Sequence, residues 1–449
     1  MTDVRRLSRW IMSLAAVSVI AVSTTLSFPV SAAVKVQEVS GSRGVTAWLV
    51  EDHSNPIITV SLAFRGGSAL DPGGKEGIAN LVSATLDEGA GDMDSEAFQN
   101  RLKDLAITLS FDAGLDVFSG TLRTLTRNKA EAFRLLRLAL TEPRFDDDAV
   151  ERIRSQILAN LRRKSSDPRQ IAAETMMKTL FPGHPYSRPA DGTLESVPLI
   201  KLADLKAFAA ERLARDNLVV GVVGDITAED LASVLDTVFG QLPAEANLRP
   251  IADVTAASAP APIVVELPIP QSVIRFGQNG IRRDDPDFYA AYIMNYVLGG
   301  GSFESRLYEE VREKRGLVYS AYTYLSPLDH AALIMGGAGT ANERAAETVK
   351  VIGDEWIKMA TSGVTAEELQ DAKVYLTGSY ALRFGSSQAI ARMLTGLQLE
   401  NLGIDYFERR NGFIEAVTLE DVNRVAKRLL KPENLTWVIV GQPVGLSTN

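Results

Sequence analysis

The chain has 449 residues, 46% hydrophobic and 23% charged, with a formal net charge of −9 and no cysteine. At about 100–200 residues per domain this implies two or more globular domains. The acidic balance excludes the basic footprint of a nucleic-acid binder but is compatible with a cationic peptide partner. Without cysteine there can be no disulfide, thiolate metal site, cysteine nucleophile or lipoprotein anchor.

The N-terminus reads as an export signal rather than as part of the fold. Arg5, Arg6 and Arg9 form a positive region, Trp10–Leu26 is apolar, and Val30-Ser31-Ala32 offers small residues for cleavage before Ala33. Residues 1–32 are therefore expected to be a signal peptide and the mature protein periplasmic. Losing three Arg and one Asp would take the charge from −9 to −11. The competing reading is an uncleaved membrane anchor, because the apolar run approaches the ~18 residues that span a bilayer. After cleavage no membrane association is expected.

Val45–Glu51 and Ile57–Arg65 are apolar and β-branched and read as two strands, with His53-Ser54-Asn55-Pro56 as the turn. Gly77–Gly89 then places Ile78, Leu81, Val82 and Leu86 on one helical face and stops at Glu88-Gly89. Asp94–Leu105 reads as a capped helix, Ile107–Ala113 and Val117–Leu122 as a strand pair, and Asn128–Thr141 as a helix. Phe145–Lys164 is a long helix opened by Asp146-Asp147-Asp148, which suits its N-terminal dipole. Ile171–Leu180 and Lys201–Arg212 are helical, Phe181–Tyr186 is a loop and Asn217–Gly224 a buried strand.

Pro243–Pro262 is rich in Ala and Pro and reads as an extended linker. Beyond it the pattern starts again. Ser272–Ile281 is a strand, Asp287–Leu298 a helix in the place of Gly77–Glu88, and Thr365–Arg383 a helix in the place of Phe145–Lys164, with Thr365 and Glu368 spaced as a capping box. Asn217-Leu-Val-Val-Gly-Val-Val-Gly224 is echoed by Asn434-Leu-Thr-Trp-Val-Ile-Val-Gly441. The period is too long for a solenoid. The expected fold is α+β: two tandem homologous domains, 33–242 and 263–449, each a mixed, mostly antiparallel sheet with helices packed on one side, joined by the linker 243–262.

Four landmarks now carry a resemblance that covers nearly the whole mature chain. They are Phe64-Arg-Gly-Gly-Ser68 followed by Gly77; Phe181–Tyr186 with Gly192; the linker; and Leu298-Gly-Gly-Gly-Ser302, Ser305-Arg306-Leu307 and Glu310-Val-Arg-Glu-Lys-Arg-Gly-Leu-Val-Tyr319. The chain resembles the pitrilysin/insulinase family of zinc peptidases, the inverzincins, and most of all its bacterial and mitochondrial-processing-type branch. In that family H-x-x-E-H on a helix supplies two zinc ligands and a general base, and a Glu just under eighty residues on supplies a third ligand. Matching through Gly77 places those positions at Asn80, Ser83, Ala84 and Asn160. None retains the chemistry. His53, His184 and His330 lie in separate loops without ligand spacing, and no G-x-S-x-G is present.

The resemblance also implies that an Arg and a Tyr seven positions apart in the second domain hold the substrate backbone and stabilise the tetrahedral intermediate. Arg312 and Tyr319 have that spacing. On their own they read as part of the charge run Glu309–Arg315 and as strand packing; the surrounding signature favours the substrate-holding pair. Gly299, Gly300, Gly301 and Ser302 lack the pattern of a phosphate cradle. They read as a close-packed or flexible loop, which in the family lines the peptide cavity. The resemblance thus implies the non-zinc subunit of an exported heterodimeric metallopeptidase. This chain would bind no cofactor, and zinc would sit in a homologous two-domain partner subunit with which it encloses the peptide substrate. The alternative is a catalytically inactive scaffold or peptide-binding protein of the same fold.

Overall fold

The computed structural model describes residues 35–446, so the leader expected at 1–32 lies outside the described residues. The chain runs β1 (Gln37–Ser40), β2 (Thr46–Glu51), β3 (Ile57–Arg65), α1 (Ile78–Ser83), α2 (Ser95–Asp104), β4 (Thr108–Ala113), β5 (Val117–Leu125), α3 (Lys129–Thr141), α4 (Asp147–Lys164), α5 (Pro168–Leu180), α6 (Leu202–Arg212), β6 (Leu218–Gly224) and α7 (Ala228–Phe239). Residues 243–262 form neither helix nor strand. Then come β7 (Ile263–Glu266), β8 (Gln271–Asn279), α8 (Phe288–Asn295), β9 (Val318–Pro327), β10 (Ala332–Ala341), α9 (Ala345–Ser362), α10 (Ala366–Gly378), α11 (Ser387–Leu399), α12 (Tyr406–Ala416), α13 (Leu419–Leu429) and β11 (Thr436–Gly441).

One sheet has the order β1-β2-β6-β3-β5-β4 and the other β7-β11-β8-β10-β9. Strand for strand, the second repeats the last five positions of the first. The parallel pairs are equivalent too, β2 with β6 and β7 with β11. The echoed sequences Asn217–Gly224 and Asn434–Gly441 are thus equivalent central strands. The turn at His53–Pro56 reverses the chain without joining neighbours, because β6 inserts between β2 and β3.

The central strands read as unbroken apolar runs because both their faces are covered. Each half packs its own helices against one face, around Leu49, Leu62 and Phe64 in the first and Ile274, Phe276 and Ile439 in the second. The other face receives a helix from the opposite half. α5 lays Ala172, Met176 and Leu180 against Leu333, Met335, Val438 and Val440. α11 lies on β6 and β3: Ser61 and Thr395 share a hydroxyl hydrogen bond of 3.1 Å, and Gln398 Nε2 donates to the Val220 carbonyl at 2.9 Å. A Cβ at Gly221 would come within 2.6 Å of the Ala391 carbonyl oxygen, so glycine allows that close approach. α5 and α11 follow α4 and α10 respectively, so the exchange itself obeys the repeat. The stretch 243–262 is docked between these elements, with Val254 N donating to His330 O and Ala257 N to Leu180 O, each at 2.8 Å.

The Phe181–Tyr186 loop is a joint between the halves. The Tyr186 hydroxyl donates to Asp116 Oδ1 at 2.6 Å and accepts from His330 N at 3.0 Å, while Asp329 N donates to Asp116 Oδ2 at 3.1 Å. Burial pushes the Asp116 carboxyl up against the pull of these bonds.

Three helices differ from expectation. The helix expected over Gly77–Gly89 is only the six residues of α1. Ser83 Oγ donates to Asn80 O at 2.9 Å and Thr85 Oγ1 to Leu81 O at 2.7 Å, and such back-bonding competes with helix propagation. The helix expected over Asp287–Leu298 ends at Asn295 and continues as a π-helical turn, Tyr296–Gly300. The helix expected over Thr365–Arg383 has the capping box of Thr365 and Glu368, but after Gly378 it tightens into a 3₁₀ turn, Ser379–Phe384.

Candidate functional site

The short α1 is held from below. Asp71 Oδ2 accepts from Gly77 N and Ala79 N, both at 3.1 Å, and Asp71 Oδ1 pairs with Arg212 Nη1 at 3.1 Å in the core. Burial pushes the Asp71 carboxyl up, and Arg212 opposes it. Gly77 (φ +98°) and Gly192 (φ +83°) pack against each other's segments: a Cβ on Gly77 would be 2.9 Å from Asp191 O, and one on Gly192 would be 2.5 Å from Glu76 O. These two landmark glycines fix α1 against the loop that carries Asp191.

Between α1 and α4 lies an open hollow of about 290 Å³. Asn80, Ala84 and Asn160 share its lining, with Gln156, Lys164 and Asp191. Ser83 is buried and bonded to Asn80 O, and does not line it. Asn80 Nδ2 donates weakly to Asp191 O at 3.4 Å, and Asn160 Oδ1 accepts from Arg163 at 2.9 Å. Asp191 is ion-paired with Lys164. The family's zinc therefore meets two carboxamides and a methyl group here, a donor set that does not fit it. Among the described residues no group of three or more His, Cys, Asp or Glu could hold a metal.

The histidines are occupied locally. His53 Nδ1 pairs with Asp225 at 2.7 Å, which raises its pKa. His184 accepts from Tyr186 N at 3.2 Å and bonds Ala252 O at 3.0 Å. His330, read from sequence as a loop residue, lies at the joint beside Asp253 at 3.1 Å.

The second cluster is built on β9 and the π-helical turn Tyr308–Glu313. Arg312 rises from this turn with its guanidinium carbon 4.7 Å from the Tyr308 ring centre and 5.0 Å from that of Tyr319. Its Nη1 also donates to the Tyr308 hydroxyl. Tyr319 is 82% exposed, with Tyr322 and Tyr324 further along the same strand. Within the charge run Glu309 and Glu310 accept from Lys314 at 2.9 and 2.8 Å and Glu310 from Arg315 at 2.6 Å, while nearby Arg306 pairs with Glu368 at 2.6 Å. Arg312 keeps one long contact with the run, Nε to Glu313 at 3.9 Å, and is directed at two aromatic rings. Tyr308 was missed by sequence reasoning; its position four residues before Arg312 was the available signal.

The glycine tract is close-packed. A Cβ on Gly299 would meet Thr323 Oγ1 at 2.6 Å, and one on Gly300 would meet Asn295 Nδ2 at 2.7 Å. Gly299 is buried against β9, whereas Gly300 and Ser302 reach the surface and Gly301 is half-buried.

Residues 46–194 match the family model described as insulinase (peptidase family M16), and residues 200–376 match that described as peptidase M16 inactive domain. A non-peptidase homolog from Helicobacter pylori is 31% identical over 397 residues, covering 87% of this chain and 90% of the relative. An uncharacterized zinc protease from Mycobacterium tuberculosis is 29% identical, covering 63% of this chain and 65% of the relative. Among solved structures, a peptidase M16 inactive domain from Pseudomonas fluorescens superposes with a TM-score of 0.85 at 32% identity, covering 92% of this chain and 99% of the other. A protease from Helicobacter pylori shares the fold with a TM-score of 0.82 at 19% identity, covering 90% and 99%.

Proposed function

The chain belongs to peptidase family M16, and we propose that it is the non-zinc subunit of an exported heterodimeric metallopeptidase, supplying peptide-holding residues to a chamber closed with a zinc-bearing homologue. The carrying observation is an asymmetry. The metal positions Asn80, Ala84 and Asn160 line one hollow without a fitting donor set, while Arg312 and Tyr319 stand together and are backed by Tyr308.

In this reading zinc belongs to the partner and supplies the activated water there. What this chain does is bind and orient. Arg312 offers fixed N–H donors and a permanent charge to a peptide carbonyl. Tyr319, exposed at the strand surface, offers a neutral O–H donor to the oxygen on which negative charge develops. Gly300, Gly301 and Ser302 lie nearby in sequence and would line the peptide's path. The protein is expected to be inactive alone and periplasmic.

The test is to purify the chain alone and with its zinc-bearing neighbour. The expected result is peptidase activity from the pair only, lost in the variant Arg312→Ala plus Tyr319→Phe. Activity from the isolated chain, or a pair indifferent to that variant, would overturn the reading. The scaffold reading draws support from the Helicobacter pylori relative, which is named a non-peptidase homolog. It predicts copurification with an unrelated complex and no peptidase from any pairing.

A further inference from the structure

The sheet of the second half leaves one corner of a face uncovered. Ile274 and Phe276 point into that half's core, so Arg275 between them stands on the opposite face. α5 covers Met335, Val438 and Val440 on that face but leaves Tyr322 and Tyr324 each 39% exposed. The register sets Arg275, Gly337 and Tyr322 side by side across β8, β10 and β9. A Cβ on Gly337 would lie 2.9 Å from the Tyr322 hydroxyl oxygen. With glycine there, the Tyr322 side chain reaches across β10 and its hydroxyl accepts from Arg275 Nη1 at 3.3 Å. Gly339, the next residue of β10 on this face, has nothing within 4 Å of its Cβ position. A shallow trough therefore runs over β10 beside the arginine.

Arg275 is a cation without a counter-charge. Among the described residues its hydrogen bond is to the neutral Tyr322 hydroxyl, and no carboxylate pairs with it. Tyr324 stacks beside Tyr322, with ring centres 6.3 Å apart and planes 22° apart. Burial pushes the Tyr324 phenol's pKa up and the Arg275 charge pulls against it, so the guanidinium acts on both phenols. The Tyr322 oxygen accepts from Arg275 and keeps its own proton to donate. The cluster thus gathers donors, guanidinium N–H and phenol O–H, with no anion among them. It is also continuous with the candidate site. Tyr319 precedes Tyr322 by three residues on β9, about 10 Å along the strand. A peptide held at Arg312 and Tyr319 and running along β9 reaches the trough within about three residues.

We infer that Arg275, with Tyr322 and Tyr324, forms a subsite for a carboxylate of the bound peptide, that of an Asp or Glu side chain or of the C-terminus. The guanidinium would pair with the carboxylate, the phenol hydroxyls would donate to its remaining lone pairs, and the peptide would lie in the trough over Gly339. In a chain of net charge −9, a bare cation at this place attracts locally what the overall charge repels. The inference deepens the peptide-holding reading, on which it rests for its occupant, by naming the group selected.

The test measures fluorescence anisotropy of the purified protein with three rhodamine-labelled octapeptides. The first is C-terminally amidated and carries one glutamate among Gly, Ser and Ala. The second has glutamine in its place, and the third is the glutamine peptide with a free C-terminal carboxylate. A carboxylate-bearing peptide is expected to bind about tenfold more tightly than the neutral one, and whether the first or the third does so identifies the source of the carboxylate. Arg275→Gln should bring that peptide down to the neutral peptide's affinity. Arg275→Lys keeps the charge without the fork and should retain a preference of about threefold, which decides the matter if the glutamine variant does not fold. Tyr322→Phe, which removes only the hydroxyl, should likewise cut the preference to about threefold. Equal binding of all three peptides, no binding of any, or a full preference in the Arg275 variants would overturn the subsite. So would an Arg275→Gln protein that keeps the preference and loses only copurification of the zinc-bearing subunit, which would assign the arginine to partner docking. Binding is read on the isolated chain without zinc or turnover. The subsite can therefore stand where the paired peptidase fails, and the peptidase can stand where the three peptides bind alike.

Discussion

Arg312 stacks its guanidinium carbon 5.0 Å from the centre of the Tyr319 ring, and the same group lies 4.7 Å from Tyr308. Only a flat, delocalised cation can serve two rings and still present free N–H donors. Arg312→Lys keeps the charge and loses the fork. In the proposed pair with a zinc-bearing subunit, its kcat/KM is expected to fall about 10–100-fold, less than the loss expected for alanine, with assembly unchanged. Steady-state kinetics and gel filtration of the complex check this; a lysine variant with full activity would reduce Arg312 to a simple point charge.

The exchanged helices make a prediction about the scaffold. A side chain at Gly221 would meet the backbone oxygen of Ala391 at 2.6 Å and Leu394 Cβ at 2.8 Å. Because backbone cannot swing aside, Gly221→Ala should push α11 off β6 and cost about 1–3 kcal/mol, as overpacking does. Gly396 sits on the same helix with nothing within 4 Å of its Cβ position, so Gly396→Ala should be neutral or slightly stabilising. Calorimetry of the two variants side by side distinguishes a local steric effect from a general one.

What could be read before the fold was known follows from which forces are local. β3 and β6 are plain in sequence because residues covered on both faces form unbroken apolar runs. The capping box at Thr365 and Glu368 is equally local. The exchange of α5 and α11 is not, since the partners Ser61 and Thr395 are 334 residues apart. Nor is the π-helical turn after Asn295, whose glycine packs on Thr323. At the candidate site the family resemblance pointed to Arg312 and Tyr319, but the contacts of Tyr308 depend on a turn that periodicity does not encode. α7, α9, α12 and α13 were not read, although their apolar faces are ordinary.

A pH effect is expected from Asp87, just beyond α1. Burial, opposed by a 3.2 Å bond from Gln99, pushes its carboxyl up to about 6. Its folded-state value lies above the unfolded one, near 3.9, so the protonated form favours folding. That contribution is present below about pH 4 and is lost as pH rises through about 6. Asp87→Asn should therefore match the parent protein near pH 4 and be more stable by roughly 1–3 kcal/mol at pH 7.5. Urea unfolding at both pH values checks it; an equal difference at the two would place the effect elsewhere.

The hollow between α1 and α4 offers a constructive test of the proposal that zinc belongs to a partner and not to this chain. Asn80 and Ala84 are four residues apart, and Asn160 reaches the same hollow from α4. If side-chain chemistry alone has been lost and the scaffold retained, then Asn80→His, Ala84→His and Asn160→Glu together should restore a two-nitrogen, one-carboxylate site that retains about one zinc per chain. Elemental analysis after gel filtration is the measurement, with the parent protein expected to retain none. Ser83 is left unchanged, because its hydroxyl is buried on Asn80 O and a glutamate there would have to leave the core. The triple variant should accordingly bind metal while remaining without peptidase activity, since no base is supplied beside the bound water. A variant that folds and fails to retain zinc would show that α1 and α4 have also drifted from ligand geometry, and that the loss extends from three side chains to the backbone that carries them.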